Sequence, residues 1–157
     1  SIHRNLGRIV AISRVFRTPA FPKGSGPDFV NAAILVVTGL LPQEILARLH
    51  AIEAEAGRRR ALRWGARTLD LDLLAVGDVV LPDARTQAAW VALAPDRQGT
   101  EAPQELILPH PRLQDRAFVL IPLADICPGW RHPVTGLTVA EMVAALPDDD
   151  KAAICPV

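Results

Sequence analysis

Residues 63–78 read RWGARTLDLDLLAVGD, and within them TLDLDLLAV at residues 68–76 alternates acidic and aliphatic side chains. Successive side chains of a β-strand point to opposite faces of a sheet, so this alternation predicts a strand whose leucine face turns toward a core. Asp70 and Asp72 share the other face, with attachment points roughly 7 Å apart. The segment therefore predicts one buried sheet face and, opposite it, a pair of neighbouring carboxylates.

Two carboxylates this close repel each other unless a cation lies between them. At an effective dielectric constant near 20 the repulsion is about 2 kcal/mol, and a bound cation removes it. Asp70 and Asp72 have the spacing that can hold two Mg²⁺ ions about 4 Å apart, an arrangement that clamps phosphate oxygens. The alternative is a surface strand with solvated aspartates, and the D-x-D pattern alone leaves both interpretations open.

Arginines are concentrated just before the two aspartates, in GRRRALRWGAR at residues 57–67. The guanidinium group makes bidentate hydrogen bonds to phosphate oxygens, and a nucleotide triphosphate is bound by metal on some oxygens and by cationic side chains on others. The chain as a whole is neutral, with 17 basic and 17 acidic residues, so the cluster is local. A polyphosphate site and a solvated charge cluster are the two interpretations.

The elements around this segment predict an α+β domain with helices covering a mostly antiparallel sheet. Residues 8–16 (RIVAISRVF) and 29–37 (FVNAAILVV) are rich in β-branched and aromatic residues and are predicted strands. The Pro- and Gly-rich residues 17–28 between them form a predicted loop that faces substrate. Residues 42–56 have the hydrophobic spacing of a helix, which Gly57 is expected to end.

The length of 157 residues is that of one ordinary domain, so we expect a single domain with a surface insertion at about residues 83–105. Thr138 and Glu141 form the capping-box signature of a short final helix. The neutral charge argues against a general nucleic-acid binder, and the longest apolar stretch, residues 32–41, is too short to cross a membrane. Two cysteines without metal-ligand spacing indicate a reducing, cytoplasmic location.

Several motifs, in order and spacing, resemble the 6-hydroxymethyl-7,8-dihydropterin pyrophosphokinase family of folate biosynthesis. One is R-W-G-A-R-T-L-D-L-D-L-L at residues 63–74. The others are F-R-T-P at 16–19, P-D-F-V-N-A-A at 27–33, G-R-x-R at 57–60, L-P-H-P-R-L at 108–113 and R-A-F-V-L-I-P-L at 116–123. Together the motifs extend over most of the chain, so the resemblance does not depend on any one of them.

The resemblance implies a ferredoxin-like two-layer sandwich and transfer of diphosphate from ATP to the pterin hydroxymethyl group. Asp70 and Asp72 correspond to the ligands of two Mg²⁺ ions, and Arg58 and Arg67 to catalytic arginines that contact the triphosphate. The remaining ATP-binding positions are Arg60, His110 and Arg116. The pterin-binding positions are Thr18, Phe29, Asn31, Trp64 and Phe118. The partners implied are ATP and the pterin alone, with a monomeric enzyme expected.

The residues also support the pterin positions directly. Phe29 and Asn31 share a strand face by the period of two, and a flat, amide-bearing pterin needs both an aromatic face and a group that donates and accepts hydrogen bonds. Without the resemblance, Phe29 and Phe118 would be interpreted as core residues, His110 as an ordinary loop histidine, and Trp64 as a packing anchor.

Three departures from the family pattern accompany the resemblance. The family's first strand and G-S-N loop have no counterpart here, and we expect the natural protein to carry them before residue 1. The segment at 83–105 is longer than in relatives, and Ala66 stands where proline is frequent. Two other functions stay open at this point: a binding domain that holds ATP or pterin without reacting, and a small RNA-binding module that uses the arginine run.

Overall fold

The computed structural model describes residues 2–19, 26–61, 69–93, 97, 101 and 103–157. The helices are α1 (Ile2–Asn5), α2 (Pro42–Ala61), α3 (Ala84–Val91), α4 (Ala117–Ile126), α5 (Val139–Ala144) and α6 (Asp148–Ala152). The strands are β1 (Arg8–Ile12), β2 (Phe16–Thr18), β3 (Phe29–Asn31), β4 (Ile34–Val37) and β5 (Cys155–Pro156), and a 3-10 turn spans Leu113–Asp115. The predicted α+β class is confirmed.

The strands form two small sheets. β1 pairs with β4, and β2 is the central strand of a three-stranded sheet between β3 and β5. Both pairings of β2 are antiparallel, with Thr18 opposite Phe29 and Phe16 opposite Asn31. The three-stranded sheet is therefore antiparallel, as predicted.

Each of the two long strands predicted from the sequence is interrupted, at Ser13 and at Ala33. The Ser13 N–H donates to the Ala33 carbonyl at 2.9 Å, and the Ser13 Oγ accepts from the Ala33 N–H at 2.8 Å. A side-chain oxygen thus takes the place of a backbone acceptor at this position, and Ser13 is only 6% exposed. The polar residue satisfies the backbone where one sheet ends and the next begins.

The predicted strand at residues 68–76 is wrong for residues 69–76, which have no strand assignment, while residue 68 lies outside the described part. A strand requires a neighbour for its backbone hydrogen bonds, and the two described sheets use other segments. The burial pattern follows the prediction in part: Asp70 and Asp72 are exposed and Leu71 is half-buried, but Leu69 is also exposed.

The chain divides into two compact units. The first comprises residues 1–10 and 36–74, and its main element is α2. Of the four residues at helical spacing on α2, Ile45, Leu49 and Ile52 are buried and Ala56 is half-buried. The helix continues through Gly57 to Ala61, so the expected end at Gly57 is wrong. An interior glycine costs a helix only about 1 kcal/mol, and the arginines that follow favour helix.

The second unit comprises residues 11–35 and 75–157, and α4 is at its centre. This helix packs against β2, β3, α5, α6 and the 3-10 turn. Leu113 and Leu120 are completely buried here, and so is Val139 of α5. The apolar residues of α4 therefore form the core beneath the sheet that carries Phe29 and Asn31.

The expected surface insertion contains a regular helix, α3. Asp83 accepts from the Thr86 N–H at 2.7 Å and from its hydroxyl at 3.1 Å, which caps the helix and lowers the pKa of Asp83. Gln87 is completely buried, so this part of the segment is packed rather than solvated. Leu81 and Leu108 form an antiparallel bridge at its base.

The capping box predicted near the C-terminus is confirmed. The Thr138 Oγ accepts from the Glu141 N–H at 3.1 Å, and Glu141 accepts from the Thr138 N–H at 3.2 Å. The hydrogen bonds that Thr138 donates to the Glu141 carboxylate, from its N–H and from its hydroxyl, lower the pKa of Glu141. The helix is not the final element, because α6 and β5 follow it. In the described residues, no helix combines the length and apolar character needed to span a membrane.

Candidate active site

The predicted pterin residues of the second unit meet at the β2–β3 pair. The Asn31 Nδ2 donates to the Thr18 Oγ1 at 2.9 Å, which sets the orientation of the amide. Phe29 is on the same strand as Asn31, two positions away, and its side chain is 60% exposed. An aromatic residue so exposed on a short strand offers a ring face to a ligand. Thr18, Phe29 and Asn31 thus form one polar and aromatic surface.

The first turn of α4 carries the other aromatic candidate, Phe118. The Arg116 guanidinium lies over its ring, 5.6 Å from the centroid, within the range of a cation–π interaction. Phe118 is half-buried, and α4 contacts both β2 and β3.

An ion pair that the sequence analysis did not identify ties the start of β2 to α4. The Arg14 Nε and Nη2 donate to the two carboxylate oxygens of Asp125 at 3.0 and 2.9 Å, and the Arg14 N–H donates to one of them at 3.0 Å. The hydrogen bond from Arg14 lowers the pKa of Asp125 and, in return, raises that of Arg14. The pair holds the strand that carries Thr18 against the helix that carries Phe118.

His110 lies in the loop between the Leu81–Leu108 bridge and the 3-10 turn. Its Nδ1 accepts the Arg112 backbone N–H at 3.1 Å. The Nδ1 lone pair is therefore occupied, and a neutral His110 ring carries its proton on Nε2. The loop has two further anchors. The Arg112 Nη2 donates to the carbonyls of Trp90 and Val91, both at 2.7 Å.

The acidic candidates and Arg58 belong to the first unit. Asp70 and Asp72 are both exposed. Arg58 is near the end of α2, 72% exposed, and its guanidinium forms an ion pair with Glu55 at 2.7 Å. The Arg60 backbone is in α2, while its side chain, Trp64 and Arg67 lie outside the described part of the chain. The site residues of this unit are described separately from those of the second unit.

The donor chemistry of Asp70 and Asp72 fits Mg²⁺, which prefers carboxylate oxygens and takes only one or two of them beside phosphates and water. The described residues include no group of three or more His, Cys, Asp or Glu side chains that could hold a metal. Asp70 and Asp72, both exposed, match the one or two carboxylates that Mg²⁺ takes beside phosphate oxygens.

Sequence reasoning missed Gln87 and gave Arg112 no role. Arg112 stands inside the L-P-H-P-R-L motif, but only the structure reveals that its side chain contacts α3. Gln87 lies in a segment interpreted as a surface insertion, although Asp83 is a residue type preferred at helix N-caps. That signal could have identified the helix, but not the buried contact of its glutamine.

Comparison with known proteins gives one consistent result. Residues 1–128 match the family model of 7,8-dihydro-6-hydroxymethylpterin-pyrophosphokinase. A relative from Pseudomonas aeruginosa, named 2-amino-4-hydroxy-6-hydroxymethyldihydropteridine pyrophosphokinase, is 39% identical over 140 residues, which is 89% of this chain and 74% of the relative. A relative of the same name from Synechocystis sp. is 37% identical over 145 residues. That match covers 92% of this chain, and the chain spans only 60% of that relative's length.

Proposed function

The chain belongs to the 7,8-dihydro-6-hydroxymethylpterin-pyrophosphokinase family, and from this membership we propose that it transfers diphosphate from ATP to 6-hydroxymethyl-7,8-dihydropterin. The products are AMP and the pterin diphosphate, an intermediate of folate biosynthesis. The observation that carries the proposal is the extent of the family match, because residues 1–128 include every candidate site residue. We further propose a ferredoxin-like sandwich and a monomeric, cytoplasmic enzyme.

In the reaction, the pterin hydroxyl oxygen forms a bond to the β-phosphorus of ATP. The bond between that phosphorus and the oxygen bridging to the α-phosphorus breaks, AMP leaves, and the hydroxyl proton is released. The protein forms no covalent bond to the transferred group, so positioning and electrostatic stabilisation supply most of the rate acceleration. The roles of the side chains follow from these two needs.

At the pterin end, Phe29 and Phe118 stack on the two faces of the ring, and Asn31 reads its polar edge. The 60% exposure of Phe29 and the hydrogen bond that orients the Asn31 amide support these roles. Thr18 fixes the orientation of the Asn31 amide, because its hydroxyl oxygen accepts a hydrogen bond from Nδ2. The resemblance assigns Trp64, which lies outside the described residues, to pterin binding as well. An amide held in this way recognises a pterin with less loss of side-chain freedom.

At the ATP end, the cationic residues bind the triphosphate. Arg58 and Arg67 stabilise the charge that develops as the β-phosphorus is transferred, and the further contacts come from Arg60, His110 and Arg116. Asp70 and Asp72 would hold two Mg²⁺ ions, which would neutralise phosphate charge. The exposure of both aspartates supports this assignment, because their oxygens are accessible to a metal–nucleotide complex.

The test is AMP formation by the purified chain with ATP, Mg²⁺ and the hydroxymethylpterin. We expect Asp70→Ala and Asp72→Ala each to reduce turnover by at least about 100-fold, since each removes charge stabilisation of the transferred group. Circular dichroism and the melting temperature should stay close to wild type, because both side chains are exposed. Asp78→Ala, also at an exposed aspartate, is the matched control and should retain activity.

Unchanged turnover in either aspartate variant would contradict the metal assignment. A folded wild-type chain that binds ATP and pterin in titration but releases no AMP would contradict the enzymatic proposal and indicate a binding domain. Strongly salt-dependent binding of RNA, with no response to pterin, would favour the RNA-binding alternative.

A further inference from the structure

Helix α3 contacts the His110 loop on both sides of the histidine. On the N-terminal side, the Gln87 Nε2 donates to the Pro109 carbonyl at 3.1 Å. Both residues are completely buried. A buried carbonyl that lost this donor would have no water to replace it. The reverse orientation of the Gln87 amide would set its oxygen against the carbonyl oxygen, so the donor must face Pro109.

On the C-terminal side, Arg112 binds the end of the same helix. Its Nη2 donates to the Trp90 and Val91 carbonyls, which are among the groups that an α-helix leaves without intrahelical partners. Its Nη1 forms an ion pair with Asp115 at 3.1 Å. The side chain is only 12% exposed, so the guanidinium is shielded from competing water and the cation lies at the negative end of the helix dipole.

These anchors determine what the His110 ring can do. The residue before His110 is held by Gln87, and the Arg112 N–H that occupies Nδ1 belongs to a residue held by α3. The ring therefore has a set orientation and a set tautomer, with the proton on Nε2. An N–H donor whose ring orientation is fixed by its neighbours is suited to a phosphate oxygen.

We propose that Gln87 and Arg112 are positioning residues for ATP binding: they fix the loop so that His110 presents Nε2–H to the triphosphate. This inference rests on the proposed function, since it deepens the role of His110 as an ATP contact. It gives the segment at about residues 83–105 a part in the reaction, although none of its described residues needs to touch a substrate.

The test combines Gln87→Met, which removes the donor at similar volume, with His110→Ala. We expect Gln87→Met to raise KM for ATP about fivefold, the loss of roughly one hydrogen bond, with kcat within about twofold and KM for the pterin unchanged. In the His110→Ala background, Gln87→Met should have no further effect on KM for ATP. Gln104→Met makes the same change at an exposed position of the segment and should match wild type.

A merely structural role predicts a different pattern. If Gln87→Met left KM for ATP unchanged, or if its effect added fully to that of His110→Ala, the proposal would be overturned. Arg112→Lys keeps a charge but has no planar fork, so it should raise KM for ATP less than Arg112→Ala. Equal values for wild type and Arg112→Ala would likewise contradict the proposal.

A second measurement separates this inference from the proposed function. The ring nitrogens of His110, identified by comparison with His110→Gln, should have ¹⁵N shifts of an Nε2–H tautomer in the wild type at neutral pH. In Gln87→Met the two shifts should move toward each other as the tautomers mix. Identical spectra would overturn the positioning role. The ¹⁵N measurement does not depend on turnover. A wild-type chain that forms no AMP would therefore refute the proposed function but not the positioning role.

Discussion

Ser13 satisfies three backbone groups with one short side chain and its own N–H. The hydroxyl oxygen accepts from the Ala33 N–H and its hydrogen goes to the Arg14 carbonyl at 2.7 Å, while the Ser13 N–H binds the Ala33 carbonyl. Both Ser13 and Ala33 are buried. The Ala33 N–H therefore depends on the hydroxyl, because water cannot reach it.

We expect Ser13→Ala to lower the free energy of unfolding by about 1–3 kcal/mol, the cost of a buried donor left without an acceptor. Chemical denaturation measures the change. Thr38→Val is the matched control, because the Thr38 hydroxyl accepts from the Leu40 N–H at 3.1 Å in a half-buried position. Its loss should be smaller, since water can replace that bond. Equal losses would argue against the burial of the Ser13 contact as the cause.

His132 is 1% exposed, and its Nδ1 accepts the Val134 and Thr135 N–H groups at 3.1 and 3.2 Å. The ring is neutral when both N–H groups bind that nitrogen, and burial lowers its pKa below the usual value of 6.5. In the unfolded chain the ring takes up a proton as the pH falls below about 6.5. In the folded chain it does so only at lower pH.

Folding is consequently weakened as the pH falls from about 6.5 toward the lowered pKa of folded His132, because the unfolded chain binds the extra proton. We expect the free energy of unfolding to decline over this range in the wild type and to decline less steeply in His132→Asn. His50→Asn, at an exposed histidine of α2, should retain the wild-type slope. Equal slopes in wild type and His132→Asn would contradict the prediction, whatever the absolute stability of the variant.

At the scale of elements, glycine has opposite effects at two positions of the first unit. Gly7 has φ of +145°, and a Cβ there would collide with the Val37 carbonyl oxygen. Gly57 lies inside α2 and has nothing within 4 Å of a Cβ position. The first position requires glycine for both its backbone angle and its space, whereas the second only tolerates it.

We therefore expect Gly7→Ala to destabilise the protein by more than about 1 kcal/mol and Gly57→Ala to stabilise it by about 0.5–1 kcal/mol. Thermal unfolding of both variants measures the two signs. The pair makes the same chemical change in the same unit, so opposite signs cannot come from the added methyl group alone. A stabilised Gly7→Ala variant would contradict the described approach of Gly7 to Val37.

The elements also explain which predictions from sequence succeeded. The buried face of α2 and the capping box of α5 are local signals, encoded within a few residues, and both are confirmed. The end of α2 was misplaced because glycine weakens a helix without stopping it. The strand expected at 68–76 failed because alternation specifies two faces but not the neighbouring strand.

For the whole molecule, the family and the type of chemistry could be predicted from the sequence, whereas many of the three-dimensional contacts could not. The motifs with Asp70 and Asp72 predicted the family that the comparison shows, since a reactive site needs particular residue types at fixed spacing. The contacts Gln87–Pro109 and Arg14–Asp125 join residues 22 and 111 positions apart. Neither could be predicted from one sequence, because nothing local to either residue specifies its partner.

The Leu81–Leu108 bridge, in which each residue donates to the other at 2.9 and 3.1 Å, has a consequence for how this family can vary. Once the two ends of a segment are joined, doubling its length adds only about 0.6 kcal/mol of closure entropy. Chains that differ greatly in length between these two leucines can therefore keep the same histidine loop. Evolution can alter the number of intervening residues here while the bridge stays closed, and in this chain they include a helix whose contacts hold the histidine loop.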